Sequence, residues 1–443
     1  MARRFFIETF GCQMNDLDSE KIAGSLQHEG MLPVENASEA DLILLNTCSV
    51  REKAVQKVYA RLGEIRQQKL RRSDLVVGVV GCMAQLEAKQ LMRRAPFVSI
   101  VAGPQKSQVI PSLIQRAGTE SSPVVDLRMD DEHETLEMPH VLRRSPWQAG
   151  VTISEGCSRS CSFCVVPLTR GKERNRPAAA IVREVEELAG RNYIEVLLLG
   201  QTVNSYRDPE SRLTFAGLLR RIAGIPGLAR IRFTSPHPGE FTDELLDVMV
   251  SCPQVCNQIH LPVQSGSTAI LRAMRRGYTR ERYLETVRKI RSAPRPIAIS
   301  TDLIVGFPGE SEADFRDTLS LIDEVQFDSA FSFKYSPRPN TPALDLPDEV
   351  PEQEKGRRLM ILQEQQRLIQ YNKNAACQGR VMDVLVDGRA KSRFSLAGRT
   401  TENKIVNFDG PDSLMGRIAP VRISGFSANS LKGIRVEEQQ EDQ

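Results

Sequence analysis

The sequence predicts an α/β protein in three parts: a small doubly wound parallel sheet, an incomplete (β/α)6 barrel, and a small C-terminal β-barrel. Three observations predict it. Short apolar runs alternate with amphipathic stretches through two separate arrays, which means parallel strands joined by right-handed helical crossovers. A stretch of mixed charge with no sustained period divides the two arrays. Past residue 376 the pattern changes to short strands with glycine-containing turns. At 443 residues the chain is too long for one ordinary core.

The first array fills residues 1–120. RFFIETF reads as a strand, and NDLDSEKIAGSLQHEG as a helix capped by Asn15 or Asp16. DLILLNT is a second strand, followed by a charged helix over 50–69. LVVGVVG is a third strand, and AQLEAKQLMRR opens a third helix. Residues 121–146 read as a linker. The second array occupies 147–375, with strands in VTISEG, EVLLLG, RIRFTS, QIHLPV, AISTDLIVG and SAFSFKY. Six strand–helix units fall short of the eight of a closed barrel. A charged helix over 352–376 leads into the third part, 376–441, with strands in GRVMDVLVDG, FSLAGRTTENKIVNFDG and GRIAPVRISGFS. The final EEQQEDQ is acidic and is expected to be disordered.

Composition sets the class. With 40% hydrophobic and 26% charged residues, the chain has the balance of a globular protein that stays in water. No run reaches the roughly 18 apolar residues of a membrane span, and Glu8 and Thr9 interrupt the apolar start. A cytoplasmic protein without a membrane partner is the expectation. A net charge of +3 is too small to announce a nucleic-acid partner. Residues 377–435, however, carry ten Lys/Arg against five Asp/Glu. Nine cysteines in a reducing compartment argue for metal or redox chemistry over disulfides.

Two sets of cysteines have spacings that carry chemistry. Cys157, Cys161 and Cys164 form C-x3-C-x2-C directly after the first strand of the second array, in a loop that Gly156 opens. Three thiolates where an iron–sulfur cluster usually takes four leave one iron with an open position. A zinc site that recruits Cys252 or Cys256 is the competing reading. Cys12, Cys48 and Cys82 each end a predicted strand of the first array. Parallel strands bring such ends to one sheet edge, so thiols 36 and 34 residues apart converge. Three inert buried cysteines would give the same pattern. Cys252, Cys256 and Cys377 are read as structural.

The loop motif, with Phe163 before its last cysteine, resembles the cluster motif of the radical S-adenosylmethionine (SAM) superfamily. FGCQMN, LLNTCSVREKA and VVGCMAQ resemble the N-terminal domain of the methylthiotransferase family within it. The C-terminal strands resemble the TRAM domain, a small RNA-binding barrel. The resemblance runs over nearly the whole chain in that order. It implies two 4Fe–4S clusters, one on Cys12, Cys48 and Cys82 and one on Cys157, Cys161 and Cys164, with SAM at the open iron of the latter. One SAM would methylate sulfur at the first cluster, and another would yield the radical that takes hydrogen from carbon 2 of an adenine. The wording GCQMN and NTCSVREKA resembles the branch that acts on isopentenyladenosine beside the anticodon of tRNA. Relatives act on threonylcarbamoyl-adenosine in tRNA or on a ribosomal-protein aspartate.

For SAM the resemblance implies contacts from Phe163, Gly200, Gln201, Asn204, Ser235, Gln264, Ser265 and Ile304, all near barrel strand ends. Ile304 opens IVGFPGE, which would pack on the adenine; plain βα turns are the alternative. Arg170, Lys172, Arg174 and Arg176, close behind the cluster loop, would hold tRNA phosphates, or form a solvated basic loop. The family usually has Ser where Asn175 stands. His237 and His260 lie near strand ends without metal-ligand spacing. No acid–base dyad is evident, and radical generation needs none. The implied partners are tRNA and an electron donor such as flavodoxin or ferredoxin, with the chain a monomer. A rival of another class is a non-catalytic RNA-binding iron–sulfur protein, which would need a fourth protein ligand at each cluster.

Overall fold

The computed structural model describes residues 3–49, 52–120, 122–129, 140–391 and 393–436. The middle of the expected linker and the acidic tail lie outside the described residues.

The first part is a six-stranded, all-parallel sheet in the order β2-β1-β3-β4-β5-β6. Its strands are β1 (Arg4–Phe10), β2 (Leu32–Pro33), β3 (Leu42–Thr47), β4 (Val76–Gly81), β5 (Ile100–Ala102) and β6 (Val124–Asp126). Helices α1 (Gln13–His28), α2 (Glu52–Arg71), α3 (Cys82–Arg94) and α4 (Ile110–Ala117) cover its two faces. The central strands read as continuous apolar runs because both faces are buried: Ile43 and Leu45 pack to one side, Leu42 and Leu44 to the other. Two sequence expectations change here. Residues 124–126, placed in the linker, form the edge strand β6. Cys12, rather than Asn15 or Asp16, caps α1, because the chain turns directly after Gly11.

The second part holds six parallel strands in two groups of three, β7-β10-β11 and β12-β13-β14. They are β7 (Gln148–Thr152), β10 (Glu195–Leu199), β11 (Arg230–Phe233), β12 (Gln258–His260), β13 (Ala298–Val305) and β14 (Ser329–Lys334). A single parallel bridge, Ile231 to Val255, links the groups. Between them in the chain lie the short antiparallel pair β8 (Ser154–Glu155) and β9 (Arg174–Asn175), and helices α5 (Val166–Arg170), α6 (Ala178–Gly190), α7 (Phe215–Ala223), α8 (Asp243–Ser251), α9 (Thr268–Ala273), α10 (Arg280–Arg291) and α11 (Glu312–Val325). One large apolar core joins the outer faces of these strands to the helices.

Helix α12 (Glu352–Ala375) leads to a closed five-stranded barrel, in the order β15-β16-β17-β19-β18. Its strands are β15 (Val381–Arg389), β16 (Leu396–Arg399), β17 (Ile405–Phe408), β18 (Ile418–Phe426) and β19 (Leu431–Arg435), around a core of its own. Two arginines of β11 fasten it to the second part. Arg230 donates to the carbonyls of Arg399 and Asp383, and Arg232 to those of Thr400 and Thr401. Residues 399–401 thereby lie against the inner side of β11. Among the described residues no helix is long and apolar enough to cross a membrane.

Candidate cluster and substrate site

Register brings the first three thiols together. Phe10 pairs with Thr47, and Thr47 with Gly81, so Cys12, Cys48 and Cys82 follow the ends of three adjacent strands. Gly81 turns at φ +93°, where a Cβ would strike the Asn46 side chain and the Thr47 carbonyl. A buried amide pair lies beneath. Asn15 Nδ2 donates to Asn46 Oδ1 at 3.1 Å, and Asn46 Nδ2 to the Asn15 carbonyl and to Ser19 Oγ, each at 2.9 Å. Asn15 Oδ1 in turn accepts from Cys12 Sγ at 3.3 Å. A hydrogen bond with the Cys48 thiol, and then the charge of Arg170, pull the Cys12 thiol down to about 6. Burial pushes the Cys82 thiol up.

Arg170 joins this edge to the second part. Buried at the end of α5, it donates to Asp18 Oδ2 at 2.6 Å and to Glu155 Oε1 at 3.1 Å. Its charge also acts on the Cys82 thiol, drawing it down against burial. At the other end of α5, the Val166 N–H reaches Cys164, whose thiol burial drives up to about 12. The five-residue helix α5 thus runs between the two triads, with Val166 at one end and Arg170 at the other.

The second triad is held in a loop whose turns are specified atom by atom. Gly156 sits at φ +81°, where a Cβ would collide with the Lys172 carbonyl. The Cys157 N–H donates to the Gly171 carbonyl at 3.0 Å, and Cys157 Sγ lies 3.6 Å from Thr202 Oγ1. Ser162 staples the loop to α9 through the Met274 and Ala273 carbonyls. Arg276, also buried, donates to Cys161 Sγ at 3.4 Å and to the Pro262 carbonyl. Sequence reasoning missed Arg276 and Thr202, which lie 115 and 45 residues from the thiols they meet. Neither distance is a spacing signal.

The groups expected for SAM divide. Gly200 has no room for a side chain against Ser154 Oγ, and Gln201 Oε1 is buried without a partner. Ser235 and Gln264 both adopt positive φ, +54° and +75°. Such strain costs on the order of 1–3 kcal/mol and gathers at functional sites. Ile304 and Phe163 pack near Phe307, which meets Phe163 edge-on at 6.5 Å. Asn204 is different: both ends of its amide are spent on the His237 backbone, so it braces a turn. Ser265 is buried between Thr318 and the Ser267 N–H. His237 accepts from the Gly239 N–H; burial, then Arg276 and Arg159, push its imidazole down to about 2, so it is neutral.

The four cations behind the cluster loop also separate. Arg170 and Arg176 are buried, Arg176 against the Thr152 carbonyl and Glu184, so neither faces a phosphate. Arg174 is half-buried beside Glu155, and Lys172 is exposed.

The residues fit iron–sulfur clusters and SAM: three thiols at each of two neighbouring edges, a basic side chain at each, and an unpartnered buried amide oxygen beside a glycine cradle. Among the described residues no three His, Cys, Asp or Glu side chains converge on a position for a single metal ion. Cys252 and Cys256 precede β12, at the end opposite the loop triad, and Cys377 belongs to the third core. None of them completes a triad.

Residues 4–103 match the uncharacterized protein family UPF0004, residues 151–322 the radical SAM superfamily, and residues 375–436 the TRAM domain. The chain is 47% identical over 437 residues to the tRNA-2-methylthio-N(6)-dimethylallyladenosine synthase of Solibacter usitatus, covering 98% of both chains. It is 44% identical to that of Yersinia enterocolitica, covering 99% of this chain and 94% of the relative. Among solved structures, the radical SAM methyltransferase TsrM from Kitasatospora setae aligns with a TM-score of 0.55 at 17% identity, covering 77% of each chain. The cobalamin-dependent radical SAM enzyme OxsB aligns at 0.52 and 12%, covering 83% of this chain and 56% of the other. These two share the fold alone. With near-complete coverage by relatives of this identity, the chain belongs to the tRNA-2-methylthio-N(6)-dimethylallyladenosine synthase family of radical SAM enzymes.

Proposed function

We propose that this chain transfers a methylthio group to carbon 2 of N6-dimethylallyl (isopentenyl) adenosine in tRNA, next to the anticodon. The observation that carries the reading is the meeting of two thiol triads across α5, with Arg170 tied to both sides. When bound, the cluster and SAM at Cys157, Cys161 and Cys164 supply radical hydrogen abstraction, and the cluster at Cys12, Cys48 and Cys82 supplies sulfur. The chain's own residues hold and shield these groups. Residues 1–126 carry the sulfur side, 147–375 the SAM side, and 376–441 an RNA-binding barrel. Gly200, Gln201, Ser235, Gln264, Ile304 and Phe163 line the SAM side, and Lys172 is the cation of its loop best exposed to a phosphate. A monomer in the cytoplasm, reduced by a donor such as flavodoxin or ferredoxin, completes the reading and rests on the family alone.

The test is anaerobic turnover with SAM and a reductant, followed by nucleoside mass analysis. Dimethylallyladenosine in the tRNA should gain the mass of one methylthio group less the hydrogen it replaces. Modification of threonylcarbamoyl-adenosine or of a ribosomal-protein aspartate instead would reassign the substrate. SAM cleavage with no sulfur insertion into any of them would refute the reading.

A further inference from the structure

Strands β12, β13 and β14 put alternate side chains on opposite faces. Ile259, Ile299 and Leu303 enter the core beneath the helices, so His260, Ser300, Asp302 and Ile304 point into the barrel. Phe331, in register with Asp302, points the same way. It is 52% exposed although it stands mid-strand on the inner face. An aromatic ring left open in a concave, partly polar space is a surface for a flat ligand. His260 meets it edge-on, ring centres 5.9 Å apart. His260 Nδ1 lies 3.0 Å from Ser300 Oγ and Nε2 3.3 Å from Asp302 Oδ2, which fixes the imidazole and leaves the carboxylate 30% exposed. Beneath, Gln258 bonds to Ser300, and both line a further cavity bounded by residues 402–405. Above, Ile304 is the next inward residue of β13, so the space opens onto the SAM side of the site.

We propose that Phe331 and Asp302, with His260 positioning the carboxylate, are the seat of the target base: a purine stacked on Phe331, its edge hydrogen-bonded to Asp302. The proposal deepens the tRNA-modification reading and rests on it. An aromatic face beside planar polar groups is the chemistry that recognises an unstacked nucleobase. A carboxylate accepts from the single N–H left on an N6-alkylated adenine, and the imidazole, with both nitrogens engaged by Ser300 and Asp302, holds that carboxylate in place. A phosphate would want a cation, and the arginine lower in the barrel, Arg232, is already committed to Glu195 and to carbonyls. The base must leave its stack to enter, as in other enzymes that act on a base atom.

The test is equilibrium binding of the full-length protein to two stem-loop RNAs at one salt concentration, one with dimethylallyladenosine at the target position and one abasic there. Stacking predicts that the wild type prefers the base-bearing RNA by roughly 5- to 150-fold. Phe331→Leu should bring the ratio close to one, and Phe331→Tyr, which keeps the ring, should retain most of it. Asp302→Ala should lower it in part. Full discrimination in Phe331→Leu would overturn the proposal, as would an equal loss of affinity for both RNAs, which marks a general effect on the fold. A wild type that does not distinguish the RNAs would overturn it too. A wild type that distinguishes them yet makes no methylthiolated product supports the seat and refutes only the reaction.

Discussion

Cys12 and Cys164 are one residue type in opposite electrostatic settings. The hydrogen bond with Cys48 and the charge of Arg170 favour the Cys12 thiolate, whereas burial disfavours that of Cys164. In the metal-free chain at pH 7, Cys12, at about 6, is mostly thiolate and Cys164, at about 12, is thiol. Iodoacetamide with peptide mapping should therefore label Cys12 well before Cys164. Below pH 6 labelling of Cys12 should slow as its thiolate protonates, with Cys164 slower still; equal labelling at pH 7 would contradict the two settings. Arg170 shows what a sequence hides about charge, since an arginine in a basic run turns inward to two carboxylates. Arg170→Ala leaves Asp18 buried without its cation and Glu155 with Arg174 alone. It should destabilise the metal-free protein by about 3–5 kcal/mol, read from the denaturant midpoint. Arg170→Lys should recover only part, because one ammonium cannot span both carboxylates.

At the level of the element, the loop after β8 is specified by backbone as much as by thiols. Gly156→Ala would place a methyl against the Lys172 carbonyl at a φ that alanine resists. Iron bound at the loop triad should be largely lost while the sheet-edge triad keeps its own; full iron content in this variant would show the loop to be adaptable. The same level shows what was legible in the sequence. Strands such as Arg4–Phe10 and Ala298–Val305 announce themselves by length and apolar content. The convergence of Cys12, Cys48 and Cys82 followed from topology once those strands were placed. Val124–Asp126 did not, being three residues that act as a strand only because β5 lies beside them. Leu431–Arg435 was hidden likewise, since it is needed to close a barrel. The commitments of Asn204, Arg176 and Arg276 are contacts between distant segments, which local pattern cannot encode.

Across the whole molecule, the parts are fastened by arginines: Arg170 between the two α/β parts, and Arg230 and Arg232 between the larger barrel and the smaller. Truncation after α12 would strip Arg230 and Arg232 of the carbonyls they serve, so it tests RNA binding poorly. The exposed pair Arg422 and Lys432 on β18 and β19 of the small barrel is a cleaner probe. If both meet phosphates, replacing them with Ala should weaken tRNA binding and reduce the salt slope by about two. An unchanged slope would move the RNA path off this face. The central claim, two clusters on two triads, is tested most directly by anaerobic iron and sulfide content of the wild type and of a variant with Cys157, Cys161 and Cys164 all changed to Ala. The account predicts about eight irons falling to about four. About four falling to none would mean that Cys12, Cys48 and Cys82 hold no cluster, and would contradict it.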